Sequence, residues 1–125
     1  ECGRCSSVCP ANQTGKELSP RKIMMDTRDR IEEIGRLKEN NTNYLLGNYI
    51  SKEELWACTT CNACTDACPI NLDPLSIIVD LRRYLVMEES AAPTELNNMF
   101  SNVENNGAPW QFPAADRLNW IEENK

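Results

Sequence analysis

The stretch Cys58-Thr59-Thr60-Cys61-Asn62-Ala63-Cys64-Thr65-Asp66-Ala67-Cys68-Pro69 sets three cysteines at intervals of three, a fourth after three intervening residues, and then a proline. The chain opens on a close copy, Glu1-Cys2-Gly3-Arg4-Cys5-Ser6-Ser7-Val8-Cys9-Pro10. Aligned on their Cys-Pro ends, both read C-x-x-C-x-x-x-C-P, but only the second has a further cysteine, Cys58, upstream. The seven cysteines fall entirely within these two clusters. A disulfide framework would spread an even number of cysteines among loops. A structural zinc site would use paired knuckles, four thiolates to one ion, and Cys58, Cys61, Cys64 and Cys68 admit that reading.

The second motif matches the bacterial ferredoxin run C-x-x-C-x-x-C-x-x-x-C-P at every position, which points to iron-sulfur clusters. Three thiolates three residues apart wrap one face of a cluster. Small or turn-forming residues between them, here Thr59, Thr60, Asn62 and Ala63, let backbone N–H groups approach the sulfurs. In two-cluster proteins the fourth cysteine serves the other cluster. That rule assigns Cys9, Cys58, Cys61 and Cys64 to one [4Fe-4S] cluster, B, and Cys2, Cys5 and Cys68 to another, A. The fourth ligand of cluster A would fall ahead of Glu1, so the chain reads as a fragment of a longer one. Cluster A is then expected as [4Fe-4S] with one iron lacking a protein ligand, as [3Fe-4S], or absent, in the chain as it stands. Glu1 is poorly placed to substitute for the missing thiolate.

The chain has 125 residues, 13 basic and 19 acidic, a net charge of −6 and no histidine. Its size suits one modest core. Scattered basic residues argue against nucleic acid and favour a positively charged protein partner. Without histidine there is no imidazole base, no Ser-His or Cys-His nucleophile and no Rieske or His-ligated haem. Neither a signal peptide nor a run of about 18 apolar residues is present, so the piece is expected to be soluble, without membrane contact of its own. The expected compartment is the cytoplasm, the piece being either free or the soluble part of a membrane-associated complex.

Between the motifs, Ser19-Pro20 offers a helix start, and Ile23, Met24, Thr27, Ile31, Ile34 and Leu37 or Lys38 recur at helical spacing. A helix over residues 20–38 follows, with Lys22, Asp26, Arg28, Asp29, Arg36 and Glu39 on a solvated face and Met24 and Met25 as packing groups. Asn40 to Asn43 should break it. Residues 44–50 have no decisive period, but Ser51-Lys52-Glu53-Glu54 is a capping box that starts a short helix leading to Trp56 and Cys58. Trp56 reads as shielding for the core. Asp73-Pro74 opens an amphipathic helix to about Glu88. Thr94 to Asn106 forms another, closed by Gly107, and residues 114–122 a last short one. The fold class is all-α. Residues 1–88 read as the cysteine domain and 89–125 as a helical tail or docking extension, with Trp110, Phe112 and Trp120 on a proline-stiffened segment.

Two such motifs separated by a helical insert, with Cys68-Pro69-Ile70-Asn71-Leu72-Asp73-Pro74 leading straight into a helix, resemble the α-helical ferredoxin (4Fe-4S dicluster) domain over roughly residues 2–87. The unaltered second motif is most similar to the heterodisulfide reductase C type and to bacterial Fe-S oxidoreductases, whose ending the stretch from Asn105 to Trp120 also resembles. The resemblance implies an electron-transfer module in a larger oxidoreductase, itself without a catalytic site, that exchanges electrons with a CCG-domain partner. Iron-sulfur input to a glycolate or glycerol-3-phosphate dehydrogenase-type complex and a structural zinc module are the alternatives.

Overall fold

A computed structural model of the chain describes residues 2–37 and 42–123. It divides into two compact units, Glu1–Glu88 and Glu89–Lys125. The first contains α1 (Arg4–Ser7), α2 (Pro10–Gln13), α3 (Pro20–Leu37), α4 (Lys52–Trp56), α5 (Ala63–Asp66) and α6 (Pro74–Met87). The second contains α7 (Thr94–Asn106), a 3-10 turn (Ala114–Leu118) and α8 (Asn119–Glu123). Among the described residues there is no strand, only an isolated bridge between Leu46 and Ile50. The all-α class therefore holds. The expected end of α3 at Lys38, Glu39 on its solvated face, and part of the Asn40 to Asn43 break lie outside the described residues.

In the first unit α3 packs on α6 and α1, α1 packs on α5, and α4 and α5 pack on α6. The seam is filled by side chains with less than 2% exposure: Leu18, Pro20, Ile23, Ile50, Leu55, Pro74, Ile78 and Leu85. Burial of each large aliphatic group stabilises the fold by about 1.5–3 kcal/mol. The prolines that open α3 and α6 belong to this core, so the helix-start signal doubles as packing.

The apolar stripe on α3 behaves differently from its periodicity. Ile23 is fully buried, but Ile31, Ile34 and Leu37 are 63%, 47% and 46% exposed. Arg30 takes the inner position instead, 8% exposed, donating to the Glu33 carboxylate at 2.7 Å and to the Asn43 carbonyl. Glu33 also accepts from Asn43 Nδ2 and the Tyr49 hydroxyl, and the Tyr49, Asn43 and Arg30 hydrogen bonds hold its carboxyl below the ordinary value against the opposing effect of burial. A paired guanidinium can sit where a hydrocarbon was expected because Arg30, Glu33, Asn43 and Tyr49 hydrogen-bond to one another.

Residues 44–50, undecided by period, form a tight turn. Gly47 N–H donates to the Ile50 carbonyl at 2.9 Å and Ile50 N–H to the Leu45 carbonyl at 3.0 Å. Gly47 has φ 94°, which a side chain would strain. The turn delivers the chain to the capping box. Ser51 Oγ accepts from Glu54 N–H at 3.1 Å, and the Glu54 carboxylate accepts from Ser51 N–H at 2.9 Å.

Lys22 belongs to this arrangement and not to a merely solvated face. Its ammonium lies 2.7 Å from Glu54 and 3.1 Å from Asp26, and it donates to the Tyr49 carbonyl. Burial alone would raise the Glu54 carboxyl, but Lys22 and the Ser51 amide outweigh it and hold it below the ordinary value. Ser51→Ala should cost about 1 kcal/mol in urea unfolding. Because its folded value is depressed, Glu54 contributes stability above its unfolded pKa of about 4.3, and this contribution is lost as pH falls through the folded value. Glu54→Gln should flatten that acid limb; an unchanged pH profile would remove Glu54 from the account.

In the second unit α7 ends at Gly107, φ 63°, whose N–H closes on the Val103 carbonyl. Asn102 donates to the Pro109 carbonyl and Arg117 to the Asn106 carbonyl, folding the Pro-rich segment back on α7. Trp110, Phe112 and Trp120 are each more than half exposed.

Candidate metal centre

The two cysteine motifs fold alike, residue for residue. Gly3 and Asn62, which occupy the same place between cysteines, both adopt the left-handed conformation, φ 78° and ψ 2° against φ 65° and ψ 2°. From each a one-turn helix springs, α1 and α5, with matching backbone bonds. Ser6 and Ser7 donate to the Gly3 carbonyl as Thr65 and Asp66 do to Asn62; Val8 donates to Arg4 as Ala67 does to Ala63; Cys9 donates to Ser6 as Cys68 does to Thr65. Cys2, Cys5 and Cys9 are therefore the structural counterparts of Cys61, Cys64 and Cys68. Glycine needs no special provision in that conformation, and asparagine is among the few other residues that tolerate it.

This left-handed step turns backbone N–H groups toward sulfur. The Arg4 backbone hydrogen bond is the main cause holding the exposed Cys2 thiol below its ordinary value, and the Ala63 backbone hydrogen bond does the same for exposed Cys61. Thr60 N–H lies 3.4 Å from Cys58 Sγ, and Leu72 N–H lies 3.3 Å from Cys68 Sγ. Such donors favour the thiolate, the form that binds metal. Cys64 is the exception: it is buried, and burial pushes its thiol up. A buried thiol of this kind suits a position that loses its proton when a metal arrives.

The packing of α1 on α5 brings the two motifs together. Cys2, Cys5, Cys64 and Cys68 all line one cavity of about 470 Å³. Its other walls come from α3, through Arg21, Met24, Met25 and Arg28, and from the segment Pro69 to Pro74. Cys2 and Cys5 of the first motif and Cys68 of the second thus line one cavity. Cys64, assigned to the other cluster, stands at the same cavity and close to Cys58. Cys9 is buried at the start of α2, and Cys61 is exposed. Neither lines this cavity.

The thiolate donor set, the N–H groups aimed at sulfur and the mainly apolar walls fit an iron-sulfur cluster. All seven cysteines are free of disulfides. Among the described residues, no three Cys, Asp or Glu side chains converge closely enough to hold a single metal ion.

Three features escaped sequence reasoning. Met24 and Met25 line the cavity instead of serving only as packing, and Arg28 joins them instead of lying on a wholly solvated face. The i, i+3, i+4, i+7 spacing of Arg21, Met24, Met25 and Arg28 carried that signal. Arg82 is the third. Its Nε donates to the Leu55 carbonyl at 3.0 Å and its Nη2 to the Cys58 carbonyl at 2.6 Å, while its guanidinium stacks 4.9 Å from the Trp56 ring centroid. It ties α6 to the chain entering the second motif.

Residues 1–72 match the family described as 4Fe-4S dicluster domain. The chain is 32% identical, over 98% of its length, to the probable iron-sulfur-binding oxidoreductase FadF of Bacillus subtilis, of which the match covers 22%. It is also 32% identical over 98% of its length to the EtfAB:quinone oxidoreductase of Syntrophomonas wolfei, covering 21% of that protein. Over 74% of the chain it is 33% identical to the C subunit of the Ferredoxin/F(420)H(2)-dependent CoB-CoM heterodisulfide reductase of Methanosarcina acetivorans, covering 47%. The chain thus spans only about a fifth of the first two relatives. A relative in Chromohalobacter salexigens is called a probable membrane-anchored ferredoxin; no described helix of this chain is long and apolar enough to cross a membrane. No solved structure matches.

Proposed function

Because the chain belongs to the 4Fe-4S dicluster domain family, we propose that it is the two-cluster electron-transfer module of a larger oxidoreductase, of the heterodisulfide reductase C type. The observation that carries this reading is the shared cavity of Cys2, Cys5 and Cys68, contributed by both motifs. In this reading Cys9, Cys58, Cys61 and Cys64 hold cluster B and Cys2, Cys5 and Cys68 hold cluster A. The clusters would supply one-electron chemistry. The chain's own contribution is to gather the thiolates, direct the N–H groups of Arg4, Thr60, Ala63 and Leu72 at them, and wall the cavity with Met24, Met25 and Ile70. It offers no histidine and no phosphate-binding glycine loop with which to transform a substrate. Substrate chemistry therefore falls to a protein partner, for which a CCG-domain protein is our first choice.

The names of relatives support this: one is an iron-sulfur-binding oxidoreductase and another the C subunit of a heterodisulfide reductase. A structural zinc module would need four thiolates gathered around one ion, whereas the family matched is a 4Fe-4S dicluster domain. The test is anaerobic reconstitution of the chain with iron and sulfide. The expected product has visible charge-transfer absorption that bleaches on one-electron reduction. Stoichiometric zinc with no redox-active absorption would overturn the proposal.

A further inference from the structure

The helices that follow the two motifs share a register. Pro20 and Pro74 each begin one, and Arg21, Met24, Met25 and Arg28 on α3 stand where Leu75, Ile78, Val79 and Arg82 stand on α6. The two faces differ in charge at their first position. On α6 that position is Leu75; on α3 it is a cation. Arg21 and Arg28 both line the cavity of Cys2, Cys5 and Cys68, three cysteines of cluster A, and of Cys64, one of cluster B. Arg21 is held there through its backbone, whose N–H lies 3.4 Å from Ser6 Oγ, beside Cys5. Arg28 shares its charge with Asp29, at 2.7 Å, whereas among the described residues Arg21 forms no ion pair.

From this asymmetry we infer that Arg21, assisted by Arg28, raises the reduction potential of cluster A more than that of cluster B, making cluster A easier to reduce than it is in a charge-neutralised variant. The inference rests on the two-cluster reading above. Reduction adds one electron, and so one negative charge, to the cluster. A fixed cation at the cavity wall stabilises the reduced form more than the oxidised form and raises the potential. Arg28 contributes less because Asp29 already offsets it. Both arginines are exposed, so salt should weaken the effect.

The experiment uses the reconstituted chain, titrated with dithionite as the one-electron reductant and followed by electron paramagnetic resonance to resolve the two clusters. Arg21→Gln should weaken reduction of cluster A by about threefold to tenfold, tenfold being about 59 mV for one electron. Arg28→Gln should act in the same direction but less, Arg21→Lys should stay close to the parent, and cluster B should move clearly less than cluster A. The difference should shrink at about 1 M salt, where the screening length is about 3 Å. An unchanged cluster A potential in Arg21→Gln, or equal shifts in both clusters, would overturn the inference; should Arg21→Gln lose iron, an unchanged cluster A potential in Arg28→Gln would overturn it. A parent chain that assembles no cluster, or cluster B alone, would instead overturn the two-cluster reading beneath it.

Discussion

Arg82→Ala is expected to strip iron from the site containing Cys58 while sparing the site containing Cys2 and Cys5, and to cost about 2–4 kcal/mol in urea unfolding. The carbonyls of Leu55 and Cys58 share this one guanidinium, which is itself partly buried and stacked on Trp56. Truncation leaves both acceptors without their charged donor and removes a cation–π contact worth about 0.5–2 kcal/mol. The carbonyl of Cys58 is one bond from the Cα that aims its thiolate, so loss of the clamp frees the first ligand of the second motif. Arg82→Lys should recover less than half of the loss, since an ammonium cannot fork to two carbonyls and lie flat on the indole. Iron per chain and cluster-resolved spectra check this. Equal loss from both sites would make Arg82 a general stability residue with no special hold on the second motif.

The elements with punctuation of their own were legible in the sequence. Asp73-Pro74 caps α6, with Asp73 accepting from Ser76 N–H; Ser51 and Glu54 form the capping box, and Gly107 ends α7, because each signal is a local hydrogen-bonding or steric requirement. The C-x-x-C spacing was legible for the same reason: it states which short turn will carry sulfur. Longer-range features were not. Periodicity marked Ile31, Ile34 and Leu37 as a face but could not say what covers it, and the inner position went to Arg30, paired with Glu33. The Arg82 clamp joins residues far apart in sequence, with no motif to announce it. Arg21 and Arg28 look like ordinary surface charge until α3 is laid beside the cysteine loops. The cavity also brings Cys64 alongside Cys2 and Cys5, a proximity across the two cluster assignments that spacing alone does not express.

The central claim is that each Cys-Pro cysteine serves the opposite motif. The observation behind the first half of that proposal is that Cys68 lines one cavity with Cys2 and Cys5, where Cys64 stands too. The equivalence of the two motifs extends it to Cys9, since Cys9 stands to the second motif as Cys68 stands to the first. A serine oxygen is a much poorer ligand for iron-sulfur clusters than thiolate. Each substitution should therefore deplete or convert one cluster, and the affected cluster identifies the ligand. The decisive measurement is cluster-resolved Mössbauer and electron paramagnetic resonance spectroscopy of Cys9→Ser and Cys68→Ser, side by side with Cys61→Ser and Cys2→Ser. The account predicts that Cys9→Ser perturbs the same cluster as Cys61→Ser, and Cys68→Ser the same cluster as Cys2→Ser; Cys68→Ser sharing its perturbed cluster with Cys61→Ser would contradict it.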